Sequence, residues 1–324
     1  MIFNFFLIIA GMALLIKGGD MLVDGASSLA RRFNISELAI GLTIVAFGTS
    51  APELVVSLSA AVGSHPEIAL GNAIGSNNFN LFVILGITAL MAPIAVQKNT
   101  VRLEIPYSLF AVIILFLLGN IAFFSGEGTV ITRIDGAILL LFFGLFLFYV
   151  YKNMKTSVPE TKSSDDSSAE TLSLAKSIIF IAAGLLFLVL GGRVVVNAAV
   201  SLAQALNISE KIIGLTILAV GTSLPELVTS ITAIFKKKDD IAIGNIIGSN
   251  IFNIFLILGA SSLISPVEYA PVFNIDIYIL VLGTLLLLLA MFTGKKYRLD
   301  RWQGAVFLLL YTGYVIHLIM QEGG

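Results

Sequence analysis

Ten long apolar stretches dominate this chain of 324 residues. Each is about as long as the roughly 20 apolar residues that a helix needs to cross a bilayer, or longer. Lipid admits only helices and closed barrels, because every backbone polar group must find a partner within the protein, and stretches of this length favour helices. They fall near residues 2–32, 37–62, 67–92, 104–124, 130–151, 172–205, 209–235, 240–264, 272–293 and 302–320.

The composition agrees with a membrane location. Hydrophobic residues make up 57% of the chain and charged residues only 12%, against about a quarter charged in soluble domains. A net charge of −1 gives no reason to expect nucleic acid, and the absence of cysteine excludes disulfides and thiolate metal sites. No basic segment precedes the first apolar stretch, so we interpret it as a retained span. The sequence predicts an all-α polytopic membrane protein.

Two segments of the chain are copied at an offset of 173 residues. GLTIVAFGTSAPE, ending at Glu53, and GLTILAVGTSLPE, ending at Glu226, agree at ten of thirteen positions. GNAIGSNNFN, ending at Asn80, and GNIIGSNIFN, ending at Asn253, agree at eight of ten. Shared hydrophobicity does not match glycine, asparagine, proline and glutamate in register. We infer an internal duplication.

The duplication divides the chain into two halves of five spans, residues 1–151 and 172–324, joined by a polar, serine-rich linker at 152–171. Because five is odd, the two copies must face opposite ways across the bilayer. Cytoplasmic loops collect Lys and Arg, and ten spans place fifteen such residues on one side and two on the other. We therefore predict inverted repeats in the cytoplasmic membrane, with both termini outside and the linker cytoplasmic. Inverted repeats are typical of secondary transporters, with the site at mid-membrane.

Glu53 and Glu226 each follow a proline inside an apolar stretch. Proline removes a helical hydrogen bond and disturbs the carbonyl four residues earlier, so we predict broken helices at the centre of the protein. An ordinary proline kink is the alternative, but a buried carboxylate beside each proline favours a functional site. Thr49 and Thr222 lie four residues before the glutamates and share their helix faces.

Two further sets of polar residues are spaced by four on the following spans. They are Asn72, Ser76 and Asn80 in the first half, and Asn245, Ser249 and Asn253 in the second. We expect their oxygens to face a cavity, while Gly71 and Gly75 allow close helix packing. Asn77 and Asn250 point elsewhere and are expected only to bond between helices. All candidate ligands are oxygens, the set that Ca²⁺ and Na⁺ prefer; Mg²⁺, which gives up water reluctantly, is less favoured.

These doubled blocks resemble the two alpha-repeats of the cation/calcium exchanger superfamily, most closely its prokaryotic sodium/calcium antiporters, and the likeness covers nearly the whole chain. The resemblance implies ten helices, alternating access, and first and sixth helices that slide over the other eight. It implies direct Ca²⁺ binding by Glu53 and Glu226 and central positions for Asn80 and Asn253. It implies carbonyl ligands from Thr49 and Thr222, and flanking Na⁺ sites formed by Ala46, Ser50 and Ser249 and by Ala219, Ser223 and Ser76.

The predicted function is exchange of Na⁺ for Ca²⁺ by a secondary antiporter that normally extrudes Ca²⁺, with Ca²⁺ and Na⁺ as transported ions in a lipid bilayer. Exchange of Ca²⁺ for H⁺, or K⁺-dependent exchange, at the same two glutamates stays open. A cation channel is a further alternative, and no hydrolase motif supports an enzyme. We expect no cofactor and no obligatory protein partner. Lys236 to Lys238 are interpreted as a solvated loop, and Asp20 and Asp24 as lining a bend.

Overall fold

The computed structural model describes residues 2–63, 65, 67–121, 130–154, 172–206 and 219–322. Most of these residues are helical. The first half contains helices α1 (Ile2–Phe33), α2 (Glu37–Thr49), α3 (Ala51–Val62), α4 (Glu67–Asn78, continuing to Met91), α5 (Thr100–Asn120) and α6 (Arg133–Asn153). The second contains α7 (Leu174–Ala205), α8 (Ala219–Thr222), α9 (Leu224–Phe235), α10 (Asp239–Ile264), α11 (Phe273–Ala290) and α12 (Arg301–Glu322).

Both glutamate segments are broken one residue after a threonine. Ser50 separates α2 from α3 with φ −80° and ψ 7°, and Ser223 separates α8 from α9 with φ −90° and ψ 9°. In each case the proline occupies the first turn of the new helix, where its missing N–H costs no hydrogen bond. The predicted breaks are therefore present at both positions.

Wider π-helical turns lie within three helices, at Gly41–Val45 in α2, Phe79–Ile84 in α4 and Phe252–Leu258 in α10, and another, Thr100–Glu104, begins α5. The segments in α4 and α10 begin at equivalent positions of the two halves, one residue before Asn80 and Asn253. Such π turns occur frequently at functional sites.

Four two-residue strands correct the prediction of an all-α chain. Antiparallel pairing joins β1 (Ile94–Ala95) to β4 (Arg298–Leu299) and β2 (Val130–Ile131) to β3 (Val267–Glu268). The strands lie in the connections between helices, where backbone groups that leave a helix need new hydrogen-bond partners. The protein is thus mostly helical rather than wholly so.

Seven described helices are long and apolar enough to cross a membrane, and α2 with α3 provides an eighth if the broken pair counts as one span. The apolar helix α9 is shorter, and the residues from 209 to 218 of its predicted span lie outside the described part of the chain. The chain is a mostly helical polytopic membrane protein. Ten spans in inverted repeats stay a prediction.

The chain forms two compact units, each drawing on both halves of the sequence. Unit 1 comprises Met1–Thr49 and Gly144–Gly248, and unit 2 comprises Ser50–Phe143 and Ser249–Gly324. The repeat boundaries at 151 and 172 stay predictions, and residues 155–171 of the linker lie outside the described residues.

In unit 1, α1 and α7 pack through glycines spaced by seven residues. A Cβ atom added to Gly18 would lie 2.8 Å from the carbonyl oxygen of Gly184, and one added to Gly11 would lie 3.0 Å from that of Gly191. Because no side chain separates these backbones, the two long helices contact each other closely along this seam.

In unit 2, α4 meets α12 in the same way, since a Cβ atom on Gly304 would lie 2.6 Å from the carbonyl oxygen of Gly86. Rings fill the space between α5, α6 and α10: Phe142 lies with its centroid 5.1 Å from that of Phe110 and 5.6 Å from that of Phe255. Such aromatic pairs stabilise a core beyond the area they bury.

Candidate cation site

The twelve predicted ligand residues divide equally between the two units. Unit 1 contains Ala46, Thr49, Ala219, Thr222, Ser223 and Glu226; unit 2 contains Ser50, Glu53, Ser76, Asn80, Ser249 and Asn253.

In unit 1, Glu226 lies in the first turn of α9 and is only 1% exposed. The side-chain amide of Asn245, from α10, donates to the main-chain oxygen of Glu226 at 3.3 Å and to the hydroxyl of Ser230 at 3.0 Å. Asn245 therefore fastens α10 to the first two turns of the helix that carries the carboxylate.

Thr49 ends α2 and is fully buried. Its hydroxyl donates to the amide oxygen of Asn245 at 2.9 Å and approaches the carbonyl oxygen of Ala46 at 3.3 Å. Asn245 thus links α2 to α9 within unit 1. The sequence predicts that the amide oxygen of Asn245 faces a cavity, but in the structure this oxygen accepts the hydrogen bond from the hydroxyl of Thr49.

The other candidates of unit 1 surround the break between α8 and α9. Ser223 is fully buried at the break. The hydroxyl of Thr222 is buried and has no hydrogen-bond partner among the described residues. Ala219 begins α8, and its side chain lies outside the described part of the chain.

In unit 2, Glu53 repeats the setting of Glu226. It lies in the first turn of α3 and is 1% exposed. Asn72 of α4 donates to the main-chain oxygen of Glu53 at 3.3 Å and to the hydroxyl of Ser57 at 3.0 Å. The two distances equal those around Glu226, so the duplication in the sequence reproduces a local hydrogen-bond arrangement.

The serines of unit 2 include one direct contact. The hydroxyl of Ser50, at the break before α3, donates to the hydroxyl of Ser249 at 2.9 Å. Both side chains are buried, as is Ser76 on α4. Ser50 and Ser249 were assigned to the same Na⁺ site by resemblance, and their side chains lie together within unit 2.

Four asparagines form a buried cluster where the π segments of α4 and α10 begin. The amide of Asn80 donates to the oxygen of Asn250 at 3.1 Å, and that of Asn253 donates to the oxygen of Asn77 at 3.0 Å. Asn77 in turn donates to the main-chain oxygen of Asn250 at 3.0 Å. The expectation that Asn77 and Asn250 bond between helices is confirmed, and their partners are the two predicted central ligands.

The charge and the burial of Glu53 and Glu226 determine which ligands these residues can bind. A carboxylate in the first turn of a helix is stabilised by the helix dipole, which favours its charged form. Burial opposes that charge unless a cation neutralises it. The other candidate ligands are hydroxyl, amide and main-chain carbonyl oxygens, which suit hard cations.

Sequence reasoning missed two features of the arrangement. It expected the amide oxygens of Asn72 and Asn245 to face a cavity and did not foresee that their amide nitrogens donate to the helices that carry the glutamates. It also gave Gly71 and Gly75 a role in close packing. A Cβ atom on Gly71 would meet only the ring of Phe273, at 3.7 Å, and one on Gly75 would meet no described atom within 4 Å. The spacing of four alone does not reveal which helix each residue contacts.

The broken helices and their buried carboxylates belong to a polytopic membrane protein. The family model described as sodium/calcium exchanger protein matches residues 3–152 and 176–320. The chain therefore belongs to the sodium/calcium exchanger family, which confirms the resemblance inferred from its motifs. Proteins of this family are transporters and not enzymes.

Individual relatives match along nearly the whole chain. The inner membrane protein YrbG of Escherichia coli (strain K12) is 36% identical over 322 residues, covering 97% of this chain and 95% of YrbG. The sodium/calcium exchanger MaX1 of Methanosarcina acetivorans is 32% identical over 350 residues, covering 97% and 98%. Among solved structures, the sodium-calcium exchanger NCX_Mj, soaked with 10 mM Na⁺ and zero Ca²⁺, matches with a TM-score of 0.82 and 34% identity, covering 97% of this chain and 98% of that one.

Proposed function

We propose that this protein is a secondary antiporter that exchanges Na⁺ for Ca²⁺ across the cytoplasmic membrane by alternating access, and that it normally extrudes Ca²⁺. One observation carries the proposal. Two buried glutamates, 173 residues apart, each lie in the first turn of a helix that follows a break, and each is held by an asparagine at 3.3 Å from its main-chain oxygen. Family membership and the likeness to MaX1 and NCX_Mj support exchange of these two ions.

In the proposed mechanism, the carboxylates of Glu53 and Glu226 bind Ca²⁺ directly, and the carbonyl oxygens of Thr49 and Thr222 complete its coordination. Na⁺ is bound instead by the flanking sets, Ala46 with Ser50 and Ser249, and Ala219 with Ser223 and Ser76. Asn80 and Asn253 contribute amide oxygens at the centre. Glu226 belongs to unit 1 and Glu53 to unit 2.

The charge of the two glutamates explains why Ca²⁺ transport would be coupled to Na⁺ transport in the opposite direction. Two carboxylates carry a charge of −2, which one Ca²⁺ or two Na⁺ neutralise. An empty site would keep the charge of −2 of these carboxylates in a membrane interior, which is costly. Reorientation is therefore favourable only with ions bound, so Ca²⁺ moves one way only when Na⁺ returns the other way.

Uptake of Ca²⁺ into proteoliposomes loaded with Na⁺ tests the proposal. We expect uptake by the parent protein and none by Glu53→Gln or Glu226→Gln, because each substitution removes one of two charges that balance Ca²⁺. Glu268→Gln is the matched control, since Glu268 is exposed on β3. Uptake that persists in both site variants would contradict the assignment. Uptake driven instead by a pH gradient, or requiring K⁺, would favour Ca²⁺/H⁺ or K⁺-dependent exchange at the same glutamates.

The proposed orientation has its own test. Both termini are placed outside and the linker 152–171 in the cytoplasm, with the repeats 1–151 and 172–324 inverted. The chain contains no cysteine, so single substitutions such as Ser163→Cys and Gly323→Cys give unambiguous labels. A membrane-impermeant thiol reagent added to intact cells should label position 323 and not position 163. The reverse pattern would overturn the orientation.

A further inference from the structure

The cluster of four asparagines in unit 2 contains two pairs that play different parts. Asn80 and Asn253 have buried amide oxygens with no hydrogen-bond partner among the described residues. Their amide nitrogens are occupied, because each donates to the other pair, Asn80 to Asn250 and Asn253 to Asn77. All four residues are at most 4% exposed, so water does not freely replace a missing partner.

The orientation of an asparagine amide matters wherever a cation binds. One side of the group is an oxygen that accepts positive charge, and the other carries two N–H donors that repel it. Rotation of the terminal torsion by half a turn exchanges the two sides. An asparagine ligand therefore needs a neighbour that accepts its N–H and so holds the oxygen toward the ion.

For Asn253, the hydrogen bonds form a chain that begins at the backbone. A main-chain carbonyl can only accept, so the bond from Asn77 to the main-chain oxygen of Asn250, at 3.0 Å, places the amide nitrogen of Asn77 there. The side-chain oxygen of Asn77 must then face Asn253, where it accepts the N–H at 3.0 Å. The orientation of Asn253 follows from that of Asn77. Asn250 occupies the equivalent position beside Asn80, at 3.1 Å.

We propose that Asn77 and Asn250 are positioning residues for transport, which hold Asn253 and Asn80 with their amide oxygens toward the bound cation. The inference rests on the proposed function, because it takes Asn80 and Asn253 as ligands. Neither positioning residue touches the ion. Each acts by accepting the one hydrogen bond that distinguishes the two orientations of its partner.

The test compares Asn77→Leu, which removes the acceptor, with Asn77→Asp, which loses the N–H donated to Asn250 but keeps an acceptor in either orientation, since its two oxygens are equivalent. The readouts are the Na⁺ concentration for half-maximal Ca²⁺ exchange and the equilibrium affinity for Ca²⁺ of purified protein. We expect Asn77→Leu to raise the half-maximal Na⁺ concentration and the dissociation constant for Ca²⁺ by roughly tenfold each. This factor corresponds to the loss of one hydrogen bond to a charged partner. In Asn77→Asp, both values should stay within about threefold of the parent or be lower than in the parent.

A second background separates positioning from simple packing. In Asn253→Asp, the ligand carries two equivalent oxygens and has no wrong orientation. In this background, Asn77→Leu should therefore raise the half-maximal Na⁺ concentration and the Ca²⁺ dissociation constant by less than about threefold, although it removes the same packing contacts. An equal loss in both backgrounds would overturn the inference, as would parental affinity in Asn77→Leu itself. If Asn77→Leu does not fold, Asn250→Leu with and without Asn80→Asp provides the equivalent comparison.

The two proposals fail in different ways. If the parent exchanges Na⁺ for Ca²⁺ and Glu53→Gln does not, but Asn77→Leu behaves as the parent, only the positioning role is wrong. If the parent shows no such exchange, the proposed function is wrong, and the Ca²⁺-binding comparison still decides whether Asn77 orients Asn253.

Discussion

The hydroxyl of Ser50 donates a hydrogen bond to the hydroxyl of Ser249 at 2.9 Å, although the two residues are 199 positions apart. Ser50 stands at the break before α3, and Ser249 lies on α10, so the contact joins a broken helix of the first half to a span of the second. Both serines are buried. Two hydroxyl oxygens at this separation suit a small cation that replaces the hydrogen bond between them.

Replacing Ser249 should therefore affect Na⁺ more than Ca²⁺. We expect Ser249→Ala to raise the Na⁺ concentration for half-maximal exchange about three- to tenfold, the value of one lost oxygen ligand, with a smaller effect on Ca²⁺. Na⁺ titrations of Ca²⁺ efflux measure this. Ser262→Ala is the control, because among the described residues the buried hydroxyl of Ser262 bonds only the carbonyl oxygen of Leu258 in its own helix. Equal effects of the two substitutions would contradict a Na⁺ site at Ser249.

Asn245 should matter more for stability than its counterpart Asn72. Asn245 is fully buried and makes hydrogen bonds to Glu226, Ser230 and Thr49, whereas Asn72 is half-buried and bonds Glu53 and Ser57. We expect Asn245→Ala to destabilise the protein by about 2–3 kcal/mol and Asn72→Ala by about 1 kcal/mol. Thermal unfolding in detergent measures the difference. A larger loss in Asn72→Ala would show that the hydrogen bonds do not set the order.

The glycines of the copied blocks provide a matched pair for packing. A Cβ atom on Gly248 would lie 2.7 Å from the Cβ of Ala46 and 2.9 Å from the carbonyl oxygen of Leu42, while the equivalent Gly75 has no described atom within 4 Å of such a Cβ. Gly248→Ala should destabilise by about 1–3 kcal/mol through overpacking. Gly75→Ala should be neutral or stabilising by about 0.5–1 kcal/mol, because alanine favours a helix. Similar melting temperatures for the two variants would refute this asymmetry.

Lys236 was interpreted as part of a solvated loop, but it contacts α1. Its ammonium lies 3.2 Å from a carboxylate oxygen of Asp20 and 2.8 Å from one of Asp24. The three side chains are partly exposed, so screening limits the contribution of the pairs to less than about 1 kcal/mol. We expect Lys236→Gln to lower the melting temperature slightly at low salt and not at high salt. A loss that persists unchanged at 1 M salt would contradict an ionic origin.

Ca²⁺ should stabilise the protein through the glutamates. A ligand present at about 100 times its dissociation constant adds about 2.7 kcal/mol to the stability of the state that binds it. The melting temperature of the parent should therefore rise with Ca²⁺ and fall back when a chelator removes it. Glu53→Gln and Glu226→Gln should show no such rise, whereas Glu268→Gln should behave as the parent. A Ca²⁺-dependent rise in both site variants would locate the ion elsewhere.

The sequence alone was enough to predict the class of fold and the positions of the two helix breaks. The length of an apolar stretch decides whether it can span a bilayer. A helix of that length satisfies its own backbone hydrogen bonds in lipid, so no distant residue is needed. Proline and glutamate at fixed positions then mark the breaks, which the structure places at Ser50 and Ser223. These are local properties, so they can be read from neighbouring residues without knowledge of the rest of the chain.

Only the tertiary structure decided which residue each polar side chain contacts. Periodicity gave Asn72 and Asn245 a helix face but did not reveal that their amides hold the main-chain oxygens of Glu53 and Glu226. The G-x-x-x-G spacing predicted close packing at Gly75, yet a Cβ atom there would meet no described atom within 4 Å, whereas one at the equivalent Gly248 would lie 2.7 Å from Ala46. Such contacts depend on helices that lie far apart in the sequence, and helical spacing carries no information about which helix packs against which.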